Sequence, residues 1–226
     1  MEVLPGIIAT TIALAALGMV FALLAPSAIL AMKPNWLRQR FNEPSEPSVA
    51  DLWRRLEPTV QEVEKLGLRR LGVRTEWAGP LKSGKRESCE LASSTLRVFA
   101  TVGVLSRRKK TPFLYLLTPF KDGAIVFTAT STAHLATVAE DFAYGSIKGS
   151  AADLLQVHHA RVQMLVQGGR VVASDFDSPG RLEACRTFYA HPRIRSRMKK
   201  TAWLIALQLA AVSACIFLVM FKLFGS

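Results

Sequence analysis

A chain of 226 residues, half of them apolar and with 29 Lys+Arg against 17 Asp+Glu, has room for one modest folded domain beside any membrane-directed segments. Its net charge of +12 implies an acidic partner, and without an RNP-like, helix-turn-helix or zinc-finger pattern that charge argues for anionic lipid headgroups or an acidic protein face over nucleic acid. Cys89, Cys185 and Cys215 stand far apart with no C-x-x-C pair, which excludes a disulfide framework and a paired-thiol metal site and fits reduced thiols in a cytoplasmic domain.

Val3 to Met32 is uncharged for 30 residues. It opens with Glu2 instead of a positive n-region and is too long for a signal h-region, so it reads as a retained membrane span. The expected crossing is Ile7 to Ala25, with Pro26 bending or ending the helix and Lys33, Arg38 and Arg40 holding that end on the cytoplasmic side. Thr11, Ala15, Gly18, Ala22 and Ala25 fall on one face, where a neighbouring backbone can approach; the plainer reading is that small residues are common in membrane helices.

After the proline-broken linker Asn42 to Pro47, Ser48 and Asp51 resemble a capping box, and Val49, Leu52, Leu56, Val60, Val63 and Leu66 recur at helical spacing. Pro58 either kinks this helix or starts a second. From Arg69 the pattern becomes strand-like, with Leu71, Val73 and Thr75 alternating with Arg70, Gly72 and Arg74. Gly79 to Glu90 reads as a polar loop. Leu96, Val98, Ala100, Val102 and Val104 then give the clearest period-two signal, which Arg107 to Lys110 closes as a turn. Phe113 to Phe120, Lys121-Asp122-Gly123 and Ala124 to Thr130 form a hairpin.

Leu135, Val138 and Phe142 are compatible with a short helix broken by Gly145 and Gly149. Ser150 with Asp153 caps a stronger helix through Gln167, ended by Gly168 and Gly169. Arg170 to Phe176 reads as a last strand, and Ser178-Pro179 opens a helix that His191-Pro192 breaks. Arg193, Arg195, Arg197, Lys199 and Lys200 then place five cations in eight residues ahead of Thr201 to Phe221, which is uncharged for 21 residues. At 1.5 Å per residue that stretch covers about 30 Å, the thickness of the hydrocarbon core. Ala202, Ala206, Ala210 and Ala214 give it a small-residue stripe, and Gln208 is placed to hydrogen-bond within a helix interface. Cationic inner ends on both spans put the domain in the cytoplasm and both termini outside, as in a bacterial-type inner membrane.

Candidate chemistry is sparse. His158 and His159 are adjacent on a helix and point about 100° apart, so they cannot share a metal; His158 falls among apolar positions as a core histidine and His159 at the edge. Asp122 reads as a turn residue, and Gly145 to Ser150 lacks the order of a phosphate loop. No catalytic, metal or cofactor residue is assigned. The basic runs, Lys33, Arg38, Arg40, Arg107, Arg108, Lys109, Lys110 and the five cations of 193–200, are assigned to lipid or partner contact, with sheet-edge protection as the alternative for Arg107 to Lys110.

The sequence therefore predicts an α+β protein. Two transmembrane helices, 1–32 and 201–226, enclose one cytoplasmic domain, 48–192, of antiparallel strands flanked by helices, joined through basic segments 33–47 and 193–200. The function expected is a non-catalytic accessory or scaffold subunit of a larger membrane complex, photosynthetic or respiratory energy transduction being one host. Other integral membrane subunits and anionic lipids are its expected partners. The alternatives are a membrane-bound enzyme on a lipid or small anionic substrate, using His158, His159 and Asp122, and a membrane-tethered sensor.

Overall fold

The computed structural model describes residues 37–43, 45–78, 83–104, 112–131, 135–173, 175–204, 207 and 211. Residues 39–76 and 86–191 form one compact unit; residues 1–38, 77–85 and 192–226 belong to a second.

The first unit is built on the helix α1 (Pro47–Glu64), whose Val49, Leu52, Leu56, Val60 and Val63 are all at most 5% exposed, as the helical periodicity requires. Its N-cap is Glu46 with Pro47 in the first turn, not Ser48. Proline fits there because its missing N–H is one the first turn leaves unpaired anyway. Pro58 lies inside one continuous helix.

Eight strands follow one another through most of the sheet: β1 (Leu37–Phe41), β2 (Arg69–Ala78), β3 (Ser83–Ser93), β4 (Val98–Val104), β5 (Pro112–Pro119), β6 (Ile125–Thr130), β7 (Leu135–Ala139) and β8 (Phe142–Ile147), in the order β1-β2-β3-β4-β5-β6-β8-β7. The β5–β6 hairpin has the predicted turn, in which Gly123 takes a φ of +87° and the Asp122 carboxylate accepts from the Ala124 N–H at 3.1 Å.

The sheet is mixed, which corrects the expectation of antiparallel strands alone. β6 and β8 run parallel, Phe127 beside Tyr144, and β7 pairs antiparallel with β8 on its outer side. The segment expected as a short helix is this β7–β8 hairpin. Its two ends meet at the Ala139–Phe142 pair, leaving Glu140 and Asp141 as the turn. β8 is buried along nearly its whole length, whereas Thr137 and Val138 of β7 are exposed, so β8 occupies the interior position and β7 the edge.

Two further corrections concern polar sequence. Ser83–Ser93 is a strand where a polar loop was expected from Gly79 to Glu90, because Cys89 and Leu91 pair with Val102 and Ala100 and bury against α1. Arg170 to Phe176 contributes only an isolated bridge, Val172 to Phe120.

Two helices complete the unit. α2 (Ala151–Gln167) begins in the predicted capping box, Ser150 and Asp153 bonding reciprocally, and packs over β5 and β6 beside α1. The apolar core lies between these two helices and one face of the sheet. α3 (Ser178–Ala190) is capped by the Asp177 carboxylate, which accepts from the Gly180 N–H at 2.7 Å, and packs over β5 on the opposite face.

In the second unit, residues 192–204 are helical. The expectation of two transmembrane helices is corrected here: among the described residues, no helix is long and apolar enough to cross a membrane. The helix at 192–204 carries Arg193, Arg195, Arg197, Lys199 and Lys200 through its first turns, and of the expected span 201–226 only 201–204, 207 and 211 lie among the described residues. The N-terminal segment 1–32 lies outside the described residues, and with it Thr11, Ala15, Gly18, Ala22 and Ala25. So do Ala206, Gln208, Ala210 and Ala214.

The burial of Cys89 separates strand from loop in solution. Cys89→Ser places a hydroxyl in an apolar contact and lowers stability by about 1–3 kcal/mol in urea denaturation, against about 0.5 kcal/mol or less for an exposed loop position.

Candidate functional site

The face of the sheet beneath α3 is polar and nevertheless buried. Period-two alternation sends Arg74 and Glu76 of β2, Ser88 and Glu90 of β3, Thr101 of β4 and Tyr115 of β5 to this side, opposite the apolar core. α3 lays Arg181, Cys185 and Tyr189 over them, one above the next at a spacing of four.

Glu90, Arg181 and Arg74 are each at most 1% exposed. The Glu90 carboxylate accepts four hydrogen bonds. Arg74 Nε at 2.9 Å and Ser88 Oγ at 2.7 Å donate to one oxygen, and Thr101 Oγ1 at 2.6 Å and Arg181 Nε at 2.7 Å to the other. Arg181 Nη2 also donates to Thr101 Oγ1 at 2.8 Å and to the Tyr115 hydroxyl at 2.9 Å. Arg74 is further paired with Glu76, whose carboxylate receives the Tyr189 hydroxyl at 3.3 Å and the Cys185 thiol at 3.8 Å. Two guanidiniums thus face two carboxylates, and the buried charge sums to zero.

Each group is fixed in one protonation state near neutral pH. Burial works to raise the Glu90 pKa, but Arg181 and Arg74, with the Thr101 and Ser88 hydroxyls, outweigh it and hold the carboxyl below its usual range. Burial opposes ionisation of Glu76 too, and Arg74 again prevails. The Tyr115 phenol is pushed up to about 12 by burial, and the Cys185 thiol is raised by burial despite the two nearby arginines. A group that exchanges protons in catalysis needs a pKa near the working pH, and this set has none.

Beside the network an aromatic ladder crosses the same face. Phe113, Tyr115, Phe127, Tyr144 and Phe142 stack at centroid distances of 5.9, 5.0, 5.0 and 5.9 Å, and the His191 ring follows at 4.8 Å. Gly103 makes room for its first rung, since a Cβ there would lie 2.7 Å from the Phe113 ring. The ring faces are occupied by one another, and Phe188 of α3 covers Phe127 at 5.1 Å.

On the opposite face, His158 is 1% exposed and completes a relay between α2 and the sheet. Thr118 Oγ1 donates to the Arg97 carbonyl at 2.8 Å, so it accepts from His158 Nε2 at 2.9 Å. His158 Nδ1 is then the acceptor for Thr128 Oγ1 at 3.1 Å, and that oxygen accepts a hydrogen bond from Arg161 Nη1 at 3.0 Å. This directionality assigns the neutral Nε2–H tautomer. Burial, with the Arg161 and His159 charges added, pushes the His158 pKa down to about 3.

The enzyme alternative required His158, His159 and Asp122 to converge, and the structure separates them. His159 is exposed against Gln163 at 3.2 Å, and Asp122 sits in the β5–β6 turn, ion-paired with Arg170. None lines the open 410 Å³ depression at the start of α3, which Asp175, Asp177 and Glu183 make acidic. At Gly145 to Ser150 the strand β8 does run into a helix N-terminus. The Ser150 N–H, however, bonds to Asp153 at 2.9 Å and the Ala151 N–H to Glu62 at 2.9 Å, so carboxylates occupy the place a phosphate would need. Among the described residues, no group of three His, Cys, Asp or Glu side chains is placed to hold a metal ion.

Of the basic residues assigned to contact, Arg38 is exposed and Arg40 pairs with Glu46 at 3.3 Å. Arg193, Arg197, Lys199 and Lys200 are exposed, and Arg195 is half-buried. Lys33 and Arg107 to Lys110 lie outside the described residues. Ala202 is half-buried on the helix at 192–204.

Sequence reasoning missed the Arg74–Glu90–Arg181 network. Arg74 read as a member of an alternating strand, and Glu90 as part of a loop. The available signal was the run of polar residues two apart on β2 and β3, Arg74 with Glu76 and Ser88 with Glu90, which reads equally as a wetted face.

The chain is thus a mixed α+β domain with a helix-covered, charge-compensated sheet face. Comparison with protein-family models, with characterised proteins and with solved structures finds no match.

Two variants probe these networks. Glu90→Gln leaves two buried guanidiniums undercompensated and lowers stability by about 3–5 kcal/mol in chemical denaturation, whereas the double change Glu90→Leu with Arg181→Met recovers part of that loss. For His158, the folded pKa lies below the unfolded value of about 6.5, so its stabilising effect is complete above that value and is lost as pH falls towards about 3. Stability measured by urea denaturation across pH 6.5 to 4.5 therefore rises with pH, and His158→Gln reduces the slope by about 1.4 kcal/mol per pH unit.

Proposed function

We propose that the chain is a non-catalytic accessory subunit, a basic scaffold domain on the cytoplasmic face of a membrane-bound assembly. The observation that carries this reading is the consumption of the buried ionisable groups by one another. Glu90 has four donors and His158 is a neutral link between threonines, while at the surface Asp122 is paired with Arg170. Such a unit holds its shape by internal polar bonds, and the chain as a whole carries a net charge of +12. The five cations of 193–200 favour the leaflet rich in anionic lipid, which is the cytoplasmic one.

The partners are other membrane proteins, and the role is to position them. An energy-transducing complex is one host for it, photosynthetic or respiratory. Mild detergent extraction of the native chain followed by mass analysis tests the reading: other membrane proteins co-purify in fixed ratio, and migration as an isolated chain overturns it.

A further inference from the structure

The helix at 192–204 sorts its side chains by chemistry in two directions. Around its axis, Ile194 is buried at 6% and Met198 and Ala202 are half-buried, at a spacing of four, so one stripe is taken up by packing. Apart from half-buried Arg195, the other described positions are exposed. Along the axis, that exposed side is cationic for its first turns, through Arg193, Arg197, Lys199 and Lys200, and then turns apolar. Trp203 is 73% exposed and Leu204 62%, and Leu207, again helical, is 58% exposed.

Large apolar side chains at that exposure call for a cover, and the charge beside them selects it. A protein interface surrounds an apolar centre with a polar rim, whereas here charge and apolar surface succeed one another along a line, cations on one side only. The cationic zone extends about 10 Å along the helix axis and the apolar one about 6 Å. That order is the order of a lipid interface: phosphates first, the glycerol and carbonyl layer where indole concentrates next, acyl chains last. A polyanion such as nucleic acid would use the cations and leave Trp203, Leu204 and Leu207 bare.

We propose that the helix at 192–204, with Leu207, forms a lipid-docking element for an anionic bilayer leaflet, with Lys199 and Lys200 at the headgroup phosphates and Trp203 at the headgroup–acyl boundary. The inference deepens the reading of the chain as a membrane-side scaffold by naming the surface it stands on. Its test reads the depth of one indole and not the presence of partners, so the two readings fail separately.

The experiment uses the full chain reconstituted in vesicles of phosphatidylcholine with phosphatidylglycerol, compared with phosphatidylcholine alone. The Trp203 signal is the difference in emission between the native chain and Trp203→Phe. In the anionic vesicles this signal is blue-shifted, shielded from aqueous iodide, and quenched most by lipids brominated near the carbonyl end of the acyl chain. Lys199→Glu with Lys200→Glu, which leaves the packed stripe of Ile194, Met198 and Ala202 intact, reduces the bromolipid quenching at least about twofold, as does moving to neutral lipid. Iodide quenching of Trp203 undiminished by anionic vesicles overturns the proposal, as does protection that arises only when an acidic protein is added. Quenching that peaks with bromines at the bilayer centre overturns it too.

Discussion

The first unit depends on a single carboxylate. Glu90 lies at the middle of a sheet face with its charge wholly removed from water, a state that costs several kcal/mol unless opposite charge and hydrogen bonds compensate. Compensation comes from β2 through Arg74, from β4 through Thr101 and from α3 through Arg181, so one residue fixes the relation of three strands and a helix. The same dependence explains why α3 looks unremarkable as an amphipathic helix. The face it covers is polar, and its buried residues are Arg181, Ala184 and Cys185 instead of a leucine stripe.

The two faces of the sheet are accordingly held by different physics. Under α1 and α2 the contact is apolar and nondirectional, tolerant of rearrangement among residues of similar volume. Under α3 it is directional, since each guanidinium donates to named oxygens. The His158 relay introduces a directional element into the apolar side as well, locking α2 to Thr118 and Thr128 in one register.

The second unit supplies a different kind of surface. In the helix at 192–204 the cations of the first turns are followed along the axis by exposed Trp203 and Leu204. Basic charge is thus placed outside on this unit and, in Arg74 and Arg181, deep inside the other. Composition alone does not distinguish the two uses of arginine.

What the sequence determined by itself was whatever short-range physics controls. The α1 stripe, the Ser150–Asp153 cap, the turn at Asp122-Gly123 and the neighbouring strands β5 and β6 each follow from residues within a few positions of one another. The burial of His158 was legible for the same reason, its neighbours at helical spacing being apolar. Tertiary structure decided the rest. Leu135 to Phe142 carries a spacing that suits helix or strand, and only the parallel pairing of β8 with β6, Phe127 beside Tyr144, makes it part of an antiparallel hairpin at the sheet's edge. Glu90 acquires its meaning from Arg74, 16 positions back, and from Arg181, 91 positions ahead. A charged residue in an alternating strand faces water or a distant partner with the same local pattern, and the choice is made only when a second surface arrives to cover it.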